Sequence, residues 1–224
     1  TLFNISIEGV SSGQVLVSGA DFYSSPRLSA DGGKLTWLSW NHPNMPWDGC
    51  ELWVSDLSST GSLEHPEKVA GGPEESIFQP EWSPDGTLHF VSDRTGWSNI
   101  YRWRNRGVEP VTEMEAEFAR PQWIFGSSTY AFQSDSRIIC SYVQSGNWKL
   151  ASVETELRRL NPIPTPYSDM ARGDLRVTSD TAVIIAGSPV EALSVVRLDL
   201  ATGDTQVLRT SGDVSLGQAY LSTP

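Results

Sequence analysis

Short apolar runs set between turn residues organise this chain, with no long amphipathic stretches. Leu35-Thr36-Trp37-Leu38-Ser39-Trp40 follows Pro26-Arg27-Leu28-Ser29-Ala30-Asp31-Gly32, and Leu88-His89-Phe90-Val91 follows Pro80-Glu81-Trp82-Ser83-Pro84-Asp85-Gly86. Both segments read as strand, Asp-Gly turn, strand, because Gly tolerates a positive φ and Asp can bond its own backbone. A third copy is degenerate: Pro121-Gln122-Trp123 is expected as its first strand, Phe125-Gly126-Ser127-Ser128 as its turn and Thr129-Tyr130-Ala131-Phe132 as its second strand. A fourth runs from Leu175-Arg176-Val177-Thr178-Ser179-Asp180-Thr181 into Ala182-Val183-Ile184-Ile185-Ala186.

Each copy continues into a run whose apolar and polar residues alternate, over 51–57, 99–103, 148–153 and 193–200. A period of two marks a half-buried strand. A more polar strand closes each unit near 67–70, 109–112, 156–161 and 205–209. Four strands repeating at a spacing of about 40 to 50 residues predict an all-β fold, a β-propeller of four-stranded blades. Four full blades are expected at 21–72, 73–115, 116–166 and 167–212, with 213–224 as a linker. Leu2-Phe3-Asn4-Ile5-Ser6-Ile7 and Gln14-Val15-Leu16-Val17 read as the last two strands of a preceding blade over 1–20. Rings close so that no blade edge stays open, which implies a fragment of a larger ring.

Composition narrows the function. The formal net charge of −11, from 16 basic against 27 acidic residues, argues against nucleic-acid binding, which needs clustered Lys and Arg. No stretch reaches the roughly 18 consecutive apolar residues of a membrane helix, so no membrane partner is expected. Cys50 and Cys140 are far apart and belong to no ligand spacing, which points to free thiols and a cytoplasmic setting. No Gly-x-Ser-x-Gly pentapeptide occurs, and His42, His65 and His89 lie beside no nucleophile, so no catalytic residue is assigned. Metal-binding spacings are also missing, and neither metal nor cofactor is expected.

The aromatic residues divide in two. Trp37, Trp40, Trp53, Trp82, Trp103 and Trp123 fall at expected strand positions and are assigned to core packing. Trp47 and Trp97 lie instead in long connections, 41–49 and 92–98. In a propeller the connections from second to third strand and from blade to blade share one face, and function favours such loop-rich surfaces. That face is expected to carry Trp47, Asp48, Glu74, Glu75, Arg94, Trp97, Glu115 and Glu117.

Several segments extend the likeness: Ser-Pro-Arg-Leu-Ser-Ala-Asp-Gly (25–32), His-Pro-Asn-Met-Pro-Trp-Asp-Gly (42–49), Glu-Glu-Ser-Ile-Phe-Gln-Pro-Glu-Trp-Ser-Pro-Asp-Gly (74–86), Val-Ser-Asp-Arg-Thr-Gly-Trp (91–97) and Met-Glu-Ala-Glu-Phe (114–118). Together they resemble the propeller of prolyl-oligopeptidase-family (S9) serine peptidases of the acylaminoacyl-peptidase and dipeptidyl-peptidase type. Ser-Pro-Asp-Gly is shared with TolB-like propellers, whereas the 42–49 loop is more specific. Ala219-Tyr220-Leu221-Ser222 resembles the join to an α/β-hydrolase domain.

The resemblance implies a Ser-His-Asp triad beyond Pro224, in a C-terminal hydrolase domain of the same protein that acts on peptide substrates. The propeller would cover the active site and filter short peptides, with Trp47, Asp48, Arg94, Trp97, Glu115 and Glu117 on the substrate or interdomain face. Oligomerisation is left open. An alternative is a TolB-like protein-interaction propeller with no peptidase domain. A third reading, an enzyme with its site in the propeller channel, lacks the cluster of His and acids such a site needs.

Overall fold

The computed structural model describes residues 1–8, 13–170 and 173–212, and no helix occurs among them. The expected linker, with Ala219-Tyr220-Leu221-Ser222, lies outside the described residues. β1 (Leu2–Asn4) and β2 (Gln14–Val17) pair antiparallel as a two-stranded sheet. The first four-stranded sheet comprises β3 (Phe22–Leu28), β4 (Lys34–Trp40), β5 (Glu51–Leu57) and β6 (Leu63–Gly71). The second comprises β7 (Ile77–Trp82), β8 (Leu88–Ser92), β9 (Asn99–Arg104) and β10 (Gly107–Pro110). The third is built from β11 (Tyr130–Ser134), β12 (Arg137–Gln144), β13 (Asn147–Glu154) and β14 (Arg159–Ile163). β15 (Arg176–Val177), β16 (Thr181–Ser188), β17 (Glu191–Asp199) and β18 (Thr205–Thr210) make the fourth. In every four-stranded sheet the spatial order follows the chain, which is the meander of a propeller blade.

The Asp-Gly turns form as the sequence predicts. Ser29 Oγ–H donates to Asp31 Oδ1 at 2.6 Å, while the Gly33 and Lys34 amides donate to Asp31 Oδ1 and Ser29 Oγ at 3.0 and 2.9 Å. The second sheet repeats the device: Ser83 Oγ–H donates to Asp85, and the Thr87 amide donates to both side chains at 3.1 Å. Hydrogen bonds from Ser29 and Gly33 hold the Asp31 carboxyl below its usual range. At Asp85 burial opposes ionisation, yet the bonds from Ser83 and Thr87 still lower it. Both carboxylates are thus committed to turns.

The third sheet departs from the expectation. Pro121-Gln122-Trp123 is not a strand, the segment 129–132 mostly enters the first strand β11, and the second strand is β12, absent from the sequence reading. The hairpin between them turns at Asp135-Ser136, which carries no Gly and so gives no Asp-Gly signal. Trp123 is 73 % exposed, contrary to its assignment to the core. Trp37 and Trp40 are buried, and Trp53, Trp82 and Trp103 are half-buried. Trp37 and Trp53 face each other across β4 and β5 with rings stacked at 6.4 Å.

The chain divides into two compact units, one of residues 1–96, 101–109 and 121–125, the other of 97–100, 110–120 and 126–224. Each has its own core. In the first, Leu38, Leu52, Val54, Ile77, Leu88 and Phe90 are buried together, with Trp82 and Trp103 packed against them. In the second, Ile139, Leu150, Leu175, Ile184, Val196 and Leu198 do the same. Full burial of each such side chain contributes about 1.5–3 kcal/mol.

His89 is the ionisable residue enclosed in β8, 2 % exposed, with Nδ1 3.2 Å from the Thr87 carbonyl oxygen. Desolvation pushes its pKa down to about 4, and the Arg102 charge acts in the same direction. The folded protein therefore keeps the imidazole neutral where the unfolded chain, titrating near 6.5, binds a proton. Stability from this source is complete above pH ~6.5 and is lost as the pH falls toward ~4, by about 3 kcal/mol in all. Urea unfolding at pH 7 and 4.5 should show that loss, and His89→Leu should remove most of it.

Candidate substrate-facing loops

In the first unit, the loop 41–50 is fixed to the segment 71–77 through the backbone. Asp48 Oδ2 accepts the Met45 amide at 2.8 Å, and the Asp48 and Gly49 amides donate to the Met45 carbonyl at 2.9 and 3.2 Å. This closed turn presents Trp47. Asp48, expected on the substrate face, is exposed, and one of its carboxylate oxygens is engaged in holding the turn. The Cys50 amide donates to the Glu75 carbonyl, and the Gly72 amide to the Cys50 carbonyl, each at 3.0 Å. Ile77 completes the joint, its amide donating to Cys50 Sγ at 3.3 Å and its carbonyl accepting from the thiol at 3.5 Å. Burial pushes the Cys50 thiol up to about 12 and raises Cys140 as well, so both are inert packing groups.

Arg94 and Glu75 come together over the same joint. Glu75 Oε1 accepts from Arg94 Nε at 3.0 Å, Arg94 Nη2 at 2.8 Å and Ser92 Oγ at 2.6 Å. Glu75 Oε2 accepts the Gly71 amide at 3.2 Å. The guanidinium carbon lies 5.2 Å from the ring centroid of Tyr101, a core residue that the sequence reading had not linked to the loops. Arg94 is thus held by an acid on one side and an aromatic face on the other, with its side chain still 29 % exposed.

Trp47 is half-buried and meets Trp123, ring centroids 4.4 Å apart and planes tilted by 46°. Sequence reasoning missed this pair because it placed Trp123 in a strand. Gln122, next in the chain, is buried and donates through Nε2 to the Ile77 carbonyl at 2.9 Å, so the 121–125 segment is tied to the joint that carries Trp47.

Trp97, Glu115 and Glu117 belong to the second unit. Glu117 Oε2 accepts the Ser98 amide at 3.2 Å, and the Glu117 backbone exchanges two 2.9 Å hydrogen bonds with Val143. Asn99 and Met114 bond reciprocally, each at 3.0 Å. Trp97 and Glu115 are exposed on this frame. Glu74, in the first unit, is also exposed.

A cavity of about 310 Å³ in the first unit is bounded by Trp40, Asn41, His42, Asn44, Glu51 and Pro73. Its amides tie the loop to neighbouring segments: Asn41 Oδ1 accepts the Asp21 amide at 2.8 Å, and Asn44 Nδ2 donates to the Pro73 carbonyl at 2.8 Å. Among the described residues no group of three His, Cys, Asp or Glu side chains could hold a metal ion, and no helix is long and apolar enough to cross a membrane.

No protein-family model matches the chain, and no curated protein matches it. Solved structures do. A puromycin-hydrolysing peptidase of Mycobacterium tuberculosis superposes with a TM-score of 0.88 at 37% identity, covering 95% of this chain and 32% of its own. The chain is a β-propeller of the S9, prolyl-oligopeptidase-like type. A puromycin hydrolase resembles this S9-type propeller with a TM-score of 0.80 at 35% identity, over 88% of this chain and 30% of its own. The S9-type propeller thus spans about a third of the length of these relatives. TolB from Acinetobacter baumannii, at 17% identity and a TM-score of 0.62 over 89% of this chain and 46% of its own, shares the fold.

The loop joint of this S9-type propeller is sterically closed. A Cβ on Gly71, at φ +90°, would stand 2.0 Å from the Cys50 carbonyl oxygen, and one on Gly49 would stand 2.3 Å from that of Pro73. Gly86, in the Asp-Gly turn at φ +81°, has open space around it. Gly71→Ala should therefore cost about 3 kcal/mol in urea unfolding, and Gly86→Ala about 1 kcal/mol from backbone strain alone.

Proposed function

We propose that this chain is the non-catalytic propeller of a serine peptidase, covering an active site housed in a separate α/β-hydrolase domain and admitting short peptides. The observation that carries the reading is the 37% identity over 95% of this chain to a peptidase of which it spans only 32%. The fold supplies the propeller, and the nucleophile is assigned elsewhere in the protein.

A rigid cover acts by excluding folded chains and by partly drying the site, which strengthens the electrostatic interactions inside. The loops of the first unit suit this work because their backbone is locked by the Cys50 joint. In this reading Arg94, anchored by Glu75 and Tyr101, offers its remaining guanidinium donors to a peptide carbonyl or carboxylate. Trp47, Asp48, Trp97, Glu115 and Glu117 act on the substrate or interdomain side. Relatives named for puromycin, an amide of O-methyltyrosine with a free α-amine, favour release of a single N-terminal aminoacyl group, an aminopeptidase action. The two buried, free thiols suit a cytoplasmic setting. The TolB-like interaction reading rests on likeness of fold alone.

The test uses the full-length protein with aminoacyl amides and peptides of increasing length, ending in a folded domain carrying the same N-terminal sequence. Hydrolysis should fall steeply with length and vanish for the folded domain, and Arg94→Ala should raise KM for the short peptides several-fold. Absence of hydrolysis on every substrate, or equal rates on peptide and folded domain, would contradict the proposal.

A further inference from the structure

The segment Pro121–Phe125 presents three consecutive bulky apolar side chains to solvent: Trp123 is 73 % exposed, Ile124 61 % and Phe125 69 %. Such a run is costly to leave in water and marks a binding surface. It is also held in place. Gln122 is buried and hydrogen-bonded to the Ile77 carbonyl, and Trp123 lies against Trp47, whose turn is closed by Asp48 and followed by Gly49, packed against the Pro73 backbone too closely to admit a Cβ. The two indoles therefore form a shelf anchored from both ends, with the outer face of Trp123 open.

We infer that the Trp47–Trp123 shelf is the specificity subsite of the proposed peptidase, receiving the aromatic side chain of the aminoacyl or peptide substrate. This rests on the reading above and deepens it to a substrate class. The chemistry is direct. A flat ring gains contact area and an offset or edge interaction against an indole, whereas a methyl group gains almost none. Two indoles tilted by 46° offer a guest ring a face and an edge together. The occupant follows from the relatives, which act on puromycin, whose aminoacyl part carries a methoxyphenyl ring. Ile124 and Phe125 extend the apolar ground beside the shelf.

The test has two arms, both on the full-length protein. In the first, kcat/KM is measured for the p-nitroanilides of phenylalanine and alanine. Trp123→Ala should lower the phenylalanine-to-alanine ratio about tenfold, the equivalent of one aromatic contact, and Trp123→Phe should retain most of it. A ratio unchanged from wild type, whether both rates fall together or neither does, assigns the shelf to packing against another domain and overturns the inference. In the second, 5-fluorotryptophan is incorporated and the ¹⁹F signals of positions 47 and 123 are followed during titration with N-acetylphenylalanine amide and N-acetylalanine amide. Saturable shifts with the phenylalanine compound alone are expected. No shift at either position, or equal shifts with both compounds, refutes aromatic recognition even if peptidase activity is present, whereas a protein inactive on both anilides fails the peptidase reading and not the binding arm.

Discussion

The first unit depends on one backbone joint, where Cys50 meets Gly72, Glu75 and Ile77. Main-chain hydrogen bonds of 3.0 Å run from Cys50 to Glu75 and from Gly72 to Cys50, while the thiol bonds both polar groups of Ile77. The third strand of the first sheet, β5, begins right after Cys50, and the first strand of the second sheet, β7, begins at Ile77, so one joint ties the two sheets together. The apolar residues behind it, Leu52 and Ile77 among them, belong to a single core. Two glycines make this possible, because any side chain at 49 or 71 would collide with the opposing backbone.

From that joint the candidate functional groups take their positions. Trp47 stands on the turn just before it, Glu75 within it, and Gln122 reaches it through the Ile77 carbonyl. Arg94 joins through Glu75 and rests over Tyr101, so a charged side chain on the surface is coupled to the buried aromatic pair Phe90–Tyr101. Its ion pair is part-exposed and contributes little to stability by itself. Its consequence is geometric: the guanidinium has few rotamers left, which lowers the entropy lost when it binds a partner.

Much of the fold was legible in the sequence because local chemistry and tertiary structure agree there. β5 runs over the predicted 51–57, and the Asp31 and Asp85 turns form with their Ser partners. The third sheet was misread where a local likeness competed with the true pattern. Pro121-Gln122-Trp123 imitates Pro80-Glu81-Trp82, but its backbone is a loop tied down by Gln122, and the real hairpin turns at Asp135-Ser136 without a glycine. The site was legible in part. Arg94 and Trp47 stood out as chemically rich residues in long connections, whereas Trp123 and Tyr101 could not be joined to them, since nothing local encodes a contact between residues 47 and 123.

At 37% identity over 95% of its length, this chain matches about a third of a peptidase, and the proposed function assigns catalysis to another domain. The most direct measurement is covalent labelling of the full-length protein with a fluorophosphonate probe, followed by mass-spectrometric mapping of the modified residue. The account predicts stoichiometric labelling of one serine in a Gly-x-Ser-x-Gly turn outside residues 1–224. A label on a serine within these residues, or none in a protein that retains its fold, would contradict it.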